Sequence, residues 1–293
     1  MSVTGIWAAA LTPVTHDLQP DSRRAIPYLR GLLANGCDGV NVLGTTGEAM
    51  SFGADQRERY VRELADSGLP PDQMMAGTGA ASLDDAARLT KAALECGFAA
   101  ALVMPPFFFR DASDDGVAAF FEALIARVAP PPRSLLYYNF PRMSGIALHA
   151  RLADRLIADF GEHIFGMKDS SNDAQLQREI AARHPSFAIL PGSESDLLDA
   201  RARGAAGCIS GSVALWARLA KDVFESGDRA KSEELRRNRA ALDGLPLVPV
   251  MKHLTAALRS DPEWERPMPP QERLSAQARE TLARRGLARE AAT

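Results

Sequence analysis

The stretch IFGMKDSS, Ile164–Ser171, begins as a buried strand and ends on a lysine followed by small polar residues. Seven runs of the same kind accompany it: IWAAALTP (6–13), GVNVLGTTG (39–47), MMAGTG (74–79), AALVMPP (100–106), SLLYYNFP (134–141), FAILPGSES (187–195) and GCISGSV (207–213). Their apolar parts run continuously rather than alternating with polar residues, as expected of parallel strands buried on both faces. They recur at roughly 20 to 35 residues, about one strand-plus-helix unit each. The intervening segments carry helical patterning: SRRAIPYLRGLLANG (22–36) and DQRERYVRELADSG (55–68) end in glycine, and SLDDAARLTKAALECG (82–97) opens on a Ser82/Asp85 pair suited to capping. Eight such units favour an α/β fold of the (β/α)8 TIM-barrel type over a doubly wound open sheet.

Past the eighth run the rhythm changes. GDRAKSEELRRNRAALDG (227–244), VPVMKHLTAALRS (248–260) and SAQARETLARRGLARE (275–290) are all helical patterns, the last two separated by the turn-rich DPEWERPMPP (261–270). The expected organisation is a barrel over 1–225 and a C-terminal helical region over 226–293.

Composition narrows the function classes. Hydrophobic residues make up 46% and charged residues 24%, ordinary for a globular chain of 293 residues. A net charge of −3 supplies no basic field for nucleic acid or an anionic membrane, so neither is expected as a partner. No apolar run approaches the roughly 20 residues of a membrane span, and MSVTGIWAAALTP lacks the features of a secretion signal, so the expected location is cytoplasmic. Cys37, Cys96 and Cys208 form no CxxC pair and read as small buried hydrophobes in a reduced compartment. His16, His149, His163, His184 and His253 show no metal-binding spacing, and no metal is expected.

Lys168 stands out. The chain has five lysines (Lys91, Lys168, Lys221, Lys231 and Lys252) among 34 basic residues, so arginine is its usual surface cation. In a βα barrel, chemistry gathers where strands end on the C-terminal face, and Lys168 lies at such an end. One reading buries its stem and pairs its ammonium with solvent or Asp169. The other makes it a Schiff-base nucleophile, because burial disfavours a charged amine and frees its lone pair.

Two further strand ends bear on that choice. GTTGE, Gly44–Glu48, places the hydroxyls of Thr45 and Thr46 beside the backbone N–H groups of a small-residue turn. Such a turn suits a carboxylate, although a purely structural turn would look similar. It lacks the GK[ST] element of a nucleotide-phosphate loop. YYNFP, Tyr137–Pro141, offers a phenol from the neighbouring strand, and alternation allows at most one of the two tyrosines to face inward. GTGAAS (77–82) is a weak nucleotide-binding signal, because Ser82 replaces the third glycine of GxGxxG.

GTTGE, YN-x-P, GMKDSS, GCISG and LVPVMK (247–252) occur in this order across most of the chain. As an ordered set they resemble the dihydrodipicolinate synthase and N-acetylneuraminate lyase superfamily of pyruvate-dependent class I lyases. The resemblance implies that Lys168 forms an imine with a 2-keto acid. It implies that Thr45, Thr46 and the Gly47 region hold the substrate carboxylate and that Tyr138 relays protons. Ser170, Gly192 and Ile209 would line the pocket, and Glu194 is a candidate for sugar hydroxyls, as the matching loop of the sialic acid lyases carries acidic residues. The same resemblance implies no cofactor beyond the covalent imine, and a homotetramer built from dimers.

The chain departs from the synthases at two places. The arginine they carry two residues after the proline of YN-x-P corresponds to Met143, with Arg142 one residue early. The tyrosine they carry after strand four corresponds to Phe108 in PPFFFRD, next to Arg110. The expected reaction is therefore cleavage or dehydration of a 2-keto-3-deoxy sugar acid. Condensation of pyruvate with an aldehyde is the alternative, and a catalytically idle keto-acid-binding barrel is the reading from another class.

Overall fold

The structure is a computed structural model that describes residues 3–287. In chain order its elements are β1 (Gly5–Ala9), α1 (Ser22–Ala34), β2 (Gly39–Val42), α2 (Ala54–Ala65), β3 (Met74–Gly77), α3 (Leu83–Glu95), β4 (Ala100–Val103) and α4 (Asp114–Val128). There follow β5 (Leu135–Asn139), the single turn α5 (Pro141–Ser144), α6 (Ala150–Phe160), β6 (Ile164–Asp169), α7 (Ala174–Arg183), β7 (Ala188–Pro191), α8 (Leu197–Ala202), β8 (Gly207–Ser210) and α9 (Ala217–Ser226). Three more helices follow among the described residues: α10 (Arg229–Ala240), α11 (Leu247–Arg259) and α12 (Ala276–Arg284). Each of the eight apolar runs contains one strand.

All strand pairs are parallel, in the order β7-β6-β5-β4-β3-β2-β1-β8. The N–H of Ala206, just ahead of β8, donates to the Ile189 carbonyl of β7 at 2.9 Å and brings the sheet's two ends together. The result is a (β/α)8 barrel. Helix starts are set locally by side chains that accept otherwise orphaned N–H groups. Asp21 caps α1 through the Arg24 N–H at 3.1 Å, and Ser82 caps α3 through the Asp85 N–H at 3.4 Å, as the pairing in the sequence predicts.

Side chains alternate across the sheet, so one strand feeds two cores. On β1, Ile6 and Ala8 face the helices while Trp7 and Ala9 fill the barrel with Met75, Leu102, Leu136 and Phe165. The outer core also takes in Leu235, Leu254, Trp264 and Leu282, so the C-terminal helices pack on the barrel through a shared apolar layer. Cys37 and Cys208 are buried as expected, whereas Cys96 is only partly so.

One irregularity re-aims the chain where the lysine lies. Leu135 pairs with Ile164, yet Leu136 pairs with Gly166, so β6 holds one extra residue against β5. Ile164 and Met167 both face the helices, which strict alternation would forbid across three positions. The bulge shifts the parity, so that Lys168 comes opposite Tyr138. Gly166 is required there: an added Cβ would lie 2.4 Å from the Ala188 carbonyl oxygen.

Candidate active site

At the C-terminal mouth of the barrel is a cavity of about 500 Å³. Thr45 and Thr46 reach it from the loop after β2, Tyr138 from β5, Lys168 from β6, Ser170 from the turn beyond, and Gly192 from the loop after β7. Residues more than a hundred apart in sequence thus meet because all eight strands deliver their ends to one face.

Lys168 is 4% exposed, and its Nζ lies 4.6 Å from the centroid of the Tyr138 ring. Among the described residues no carboxylate pairs with that amine. Asp169, its neighbour in sequence, faces the other way and is fully engaged. Its Oδ1 accepts from Asn139 Nδ2 at 2.8 Å and from the Ser171 N–H at 3.1 Å, and its Oδ2 accepts from Gln177 Nε2 at 2.7 Å. The lysine–Asp169 pair weighed above does not form. Asp169 instead ties the ends of β5 and β6 to α7.

The Tyr138 hydroxyl lies 3.3 Å from Thr45 Oγ1, and the two can exchange a hydrogen bond. Tyr137 points outward onto Phe121, ring centroids 5.5 Å apart, and burial raises its phenol above its ordinary value. Gly192 must be small, because an added Cβ would stand 2.2 Å from Ser170 Oγ.

Three predicted residues do not line the cavity. Ile209 is packed inside the barrel in the same apolar layer as Tyr138. Gly47 is enclosed by Thr12, Ala10 and Leu43. Glu194 corrects the expectation that it would bind sugar hydroxyls. It is completely buried, and its oxygens accept from Ser212 Oγ at 2.7 Å, from Trp216 Nε1 at 2.9 Å and from Ser210 Oγ. A carboxylate with three donors from β8 and the segment after it is a clamp between strands. The same charge helps push the buried Cys208 thiol well above its ordinary value, after burial itself.

The sequence reading missed a second buried lysine as a working part of the site. Lys252 on α11 forms an ion pair with Glu48, both side chains 1% exposed, and also donates to the carbonyls of Arg266 at 2.7 Å and Thr12 at 3.1 Å. Burial pulls its amine below its ordinary value against the opposing pull of Glu48. Glu48 also accepts the Met268 N–H at 2.8 Å and has left-handed backbone, φ 53°. The loop that carries Thr45 and Thr46 is thereby pinned to the C-terminal region. The scarcity of lysine was a usable signal for Lys252 as well as for Lys168.

Also missed were Arg239, Leu247, Val248 and Gln271, which form a wall of the cavity from the C-terminal helices and their connections. Leu247 and Val248 open the LVPVMK stretch without being singled out there, and nothing in the local sequence marks Arg239 or Gln271. Phe108, 75% exposed, and Arg110 do not line the cavity, whereas Arg142 and Met143 do.

Residues 2–260 match the dihydrodipicolinate synthetase family. An uncharacterized DapA-like lyase of Chloroflexus aurantiacus is 36% identical over 223 residues, covering 76% of this chain and 74% of its own. The N-acetylneuraminate lyase of Rhizobium meliloti is 32% identical over 242 residues, 82% of this chain and 78% of its own. The crystal structure of dihydrodipicolinate synthase from Agrobacterium tumefaciens superimposes with a TM-score of 0.90 at 30% identity, over 97% of this chain and 98% of that one. The barrel, the strand-end site and this likeness over nearly the whole length agree, and the chain belongs to the dihydrodipicolinate synthetase family, whose members are lyases of the class I aldolase type.

Proposed function

We propose that this protein cleaves or dehydrates a 2-keto-3-deoxy acid through an imine on Lys168. The observation that carries the reading is a buried amine without a carboxylate partner among the described residues, in one cavity with the Tyr138 phenol and the Thr45 and Thr46 hydroxyls. Such an amine, once deprotonated, is a nucleophile toward a carbonyl. The threonine hydroxyls are suited to the substrate carboxylate and orient the adjacent keto carbon.

In the cleavage direction, Lys168 Nζ adds to the keto carbon, and the resulting carbinolamine takes up the Tyr138 phenol proton and loses water, giving a protonated imine and a Tyr138 phenolate. Tyr138 accepts the proton of the C4 hydroxyl as the C3–C4 bond breaks and an aldehyde leaves. The bonding pair passes into the enamine and neutralises the imine nitrogen. Protonation of C3 and addition of water then release pyruvate and restore the amine. In dehydration an enamine that still carries C4 forms by loss of a C3 proton; its electron pair then expels the C4 hydroxyl, which takes up that proton and leaves as water.

The test is incubation with pyruvate and borohydride followed by peptide mapping. A reduced adduct on Lys168 that is absent from Lys168→Ala supports the reading and opens a screen of 2-keto-3-deoxy acids for turnover. Absence of an adduct with every keto acid tried overturns it and leaves an idle barrel. The condensation reading keeps one observation in its favour: Arg142 lines the cavity one residue before Met143. Product from pyruvate and a carboxylate-bearing aldehyde, without turnover of any keto-deoxy acid, would establish it instead.

A further inference from the structure

The charge of the cavity exceeds what a simple keto acid needs. Lys168, Arg142 and Arg239 line it, and among the described lining residues there is neither Asp nor Glu. The acidic residue lining the adjoining cavity, Glu48, is already paired with Lys252. One substrate carboxylate has the Thr45–Thr46 turn available to it, and imine formation keeps a single positive charge at the lysine. Two guanidinium groups remain, one of them already paired with Asp243 outside the lining.

Neither is saturated by the protein. Arg142, on the turn after β5, makes no ion pair among the described residues; its guanidinium lies 5.7 Å from the centroid of the Phe140 ring. Arg239, on the last turn of α10, is held by Asp243 through Nη1 alone at 2.9 Å. Its Nε is buried without an acceptor, and its side chain is 23% exposed. The ion pair with Asp243, four residues on, holds the planar fork in place while leaving Nη2 without a carboxylate among the described residues. A guanidinium so placed presents donors matched to a carboxylate at little further cost in order.

We propose that Arg239, with Arg142, forms a second anion subsite that receives a carboxylate at the end of the substrate remote from its keto group. The substrate class is then a keto acid with two carboxylates rather than one with a neutral polyol tail. This rests on the lysine-imine reading above. It assigns tail recognition chiefly to α10, an element outside the barrel, and not to the second position after the proline of YN-x-P, where Met143 stands.

The experiment compares the concentrations of three probes that half-saturate borohydride trapping on Lys168: pyruvate, 2-oxohexanoate with a neutral tail, and 2-oxoadipate with a charged tail of equal length. The expected result is about tenfold tighter half-saturation by 2-oxoadipate than by 2-oxohexanoate, the scale of one hydrogen bond to a charged group. That ratio should fall toward one in Arg239→Gln, and Arg239→Lys, which keeps the charge, should retain part of it. Added salt should lower the ratio in the wild type. Equal half-saturation by the two six-carbon acids, or an unchanged ratio in Arg239→Gln, overturns the subsite while pyruvate trapping leaves the imine intact. Failure of all three probes to trap overturns the imine reading, and the subsite falls with it.

Discussion

Glu48 and Lys252 form an ion pair with both side chains 1% exposed, joining the loop that bears Thr45 and Thr46 to a helix more than two hundred residues later. Two opposite charges withdrawn from water are tolerable together and costly apart, because the remaining one has neither solvent nor counter-charge.

Lys252→Met is therefore expected to destabilise the protein by about 3 to 5 kcal/mol, measured as a shift in urea midpoint. Glu48→Gln in the same chain should recover part of the loss, since it removes the stranded carboxylate. A double variant no more stable than Lys252→Met alone would mean that the carbonyl contacts to Thr12 and Arg266, and not the ion pair, hold the helix.

Tyr138→Phe keeps the ring beside Lys168 but removes the hydroxyl 3.3 Å from Thr45. Loss of a positioned proton donor and acceptor is expected to lower kcat by about 10²- to 10⁴-fold, with the borohydride adduct still forming on Lys168. Unchanged kcat on a substrate the wild type turns over would place the proton relay elsewhere.

Gly166→Ala puts a methyl group 2.4 Å from the Ala188 carbonyl oxygen, at the residue where β6 regains its pairing with β5 after the bulge that sets the parity of Lys168. We expect a stability loss of about 1 to 3 kcal/mol and slower trapping of pyruvate at Lys168. Met167→Leu, on the helix-facing side of the same strand, controls for general loosening and should slow trapping far less.

Arg24 Nε donates to Asp261 Oδ2 at 2.8 Å and holds that carboxyl below its ordinary value. A folded-state value below the unfolded one means that the stabilisation is complete above the ordinary Asp range, about 4, and is lost as pH falls through the folded value. Thermal midpoints of wild type and Arg24→Gln should differ near neutrality and converge at the acid end. A constant gap across that window would show that the guanidinium acts through packing and not through charge.

Much of the architecture is legible without coordinates. The eight apolar runs are strands because continuous burial on two faces leaves a compositional trace, and Ser82, Gly36 and Gly68 mark helix ends by chemistry local to each. Lys168, Thr45, Thr46 and Tyr138 are readable for a related reason: they follow directly from strands, so fold and position come together. Only the tertiary structure decides which way such residues face and what they meet. Counting alternate residues from Ile164 would turn Lys168 toward the helices; the extra residue between Ile164 and Gly166, visible only in the pairing with β5, turns it inward. Glu194 looks in sequence like any polar loop residue, yet three donors arriving from β8 and beyond make it a buried clamp. Arg239 has the opposite history, one arginine in a basic helix until α10 folds back over the barrel mouth. Local patterning is written by burial and backbone hydrogen bonding within a few residues, whereas register, charge pairing and the far wall of the cavity depend on contacts between segments that the chain order does not relate.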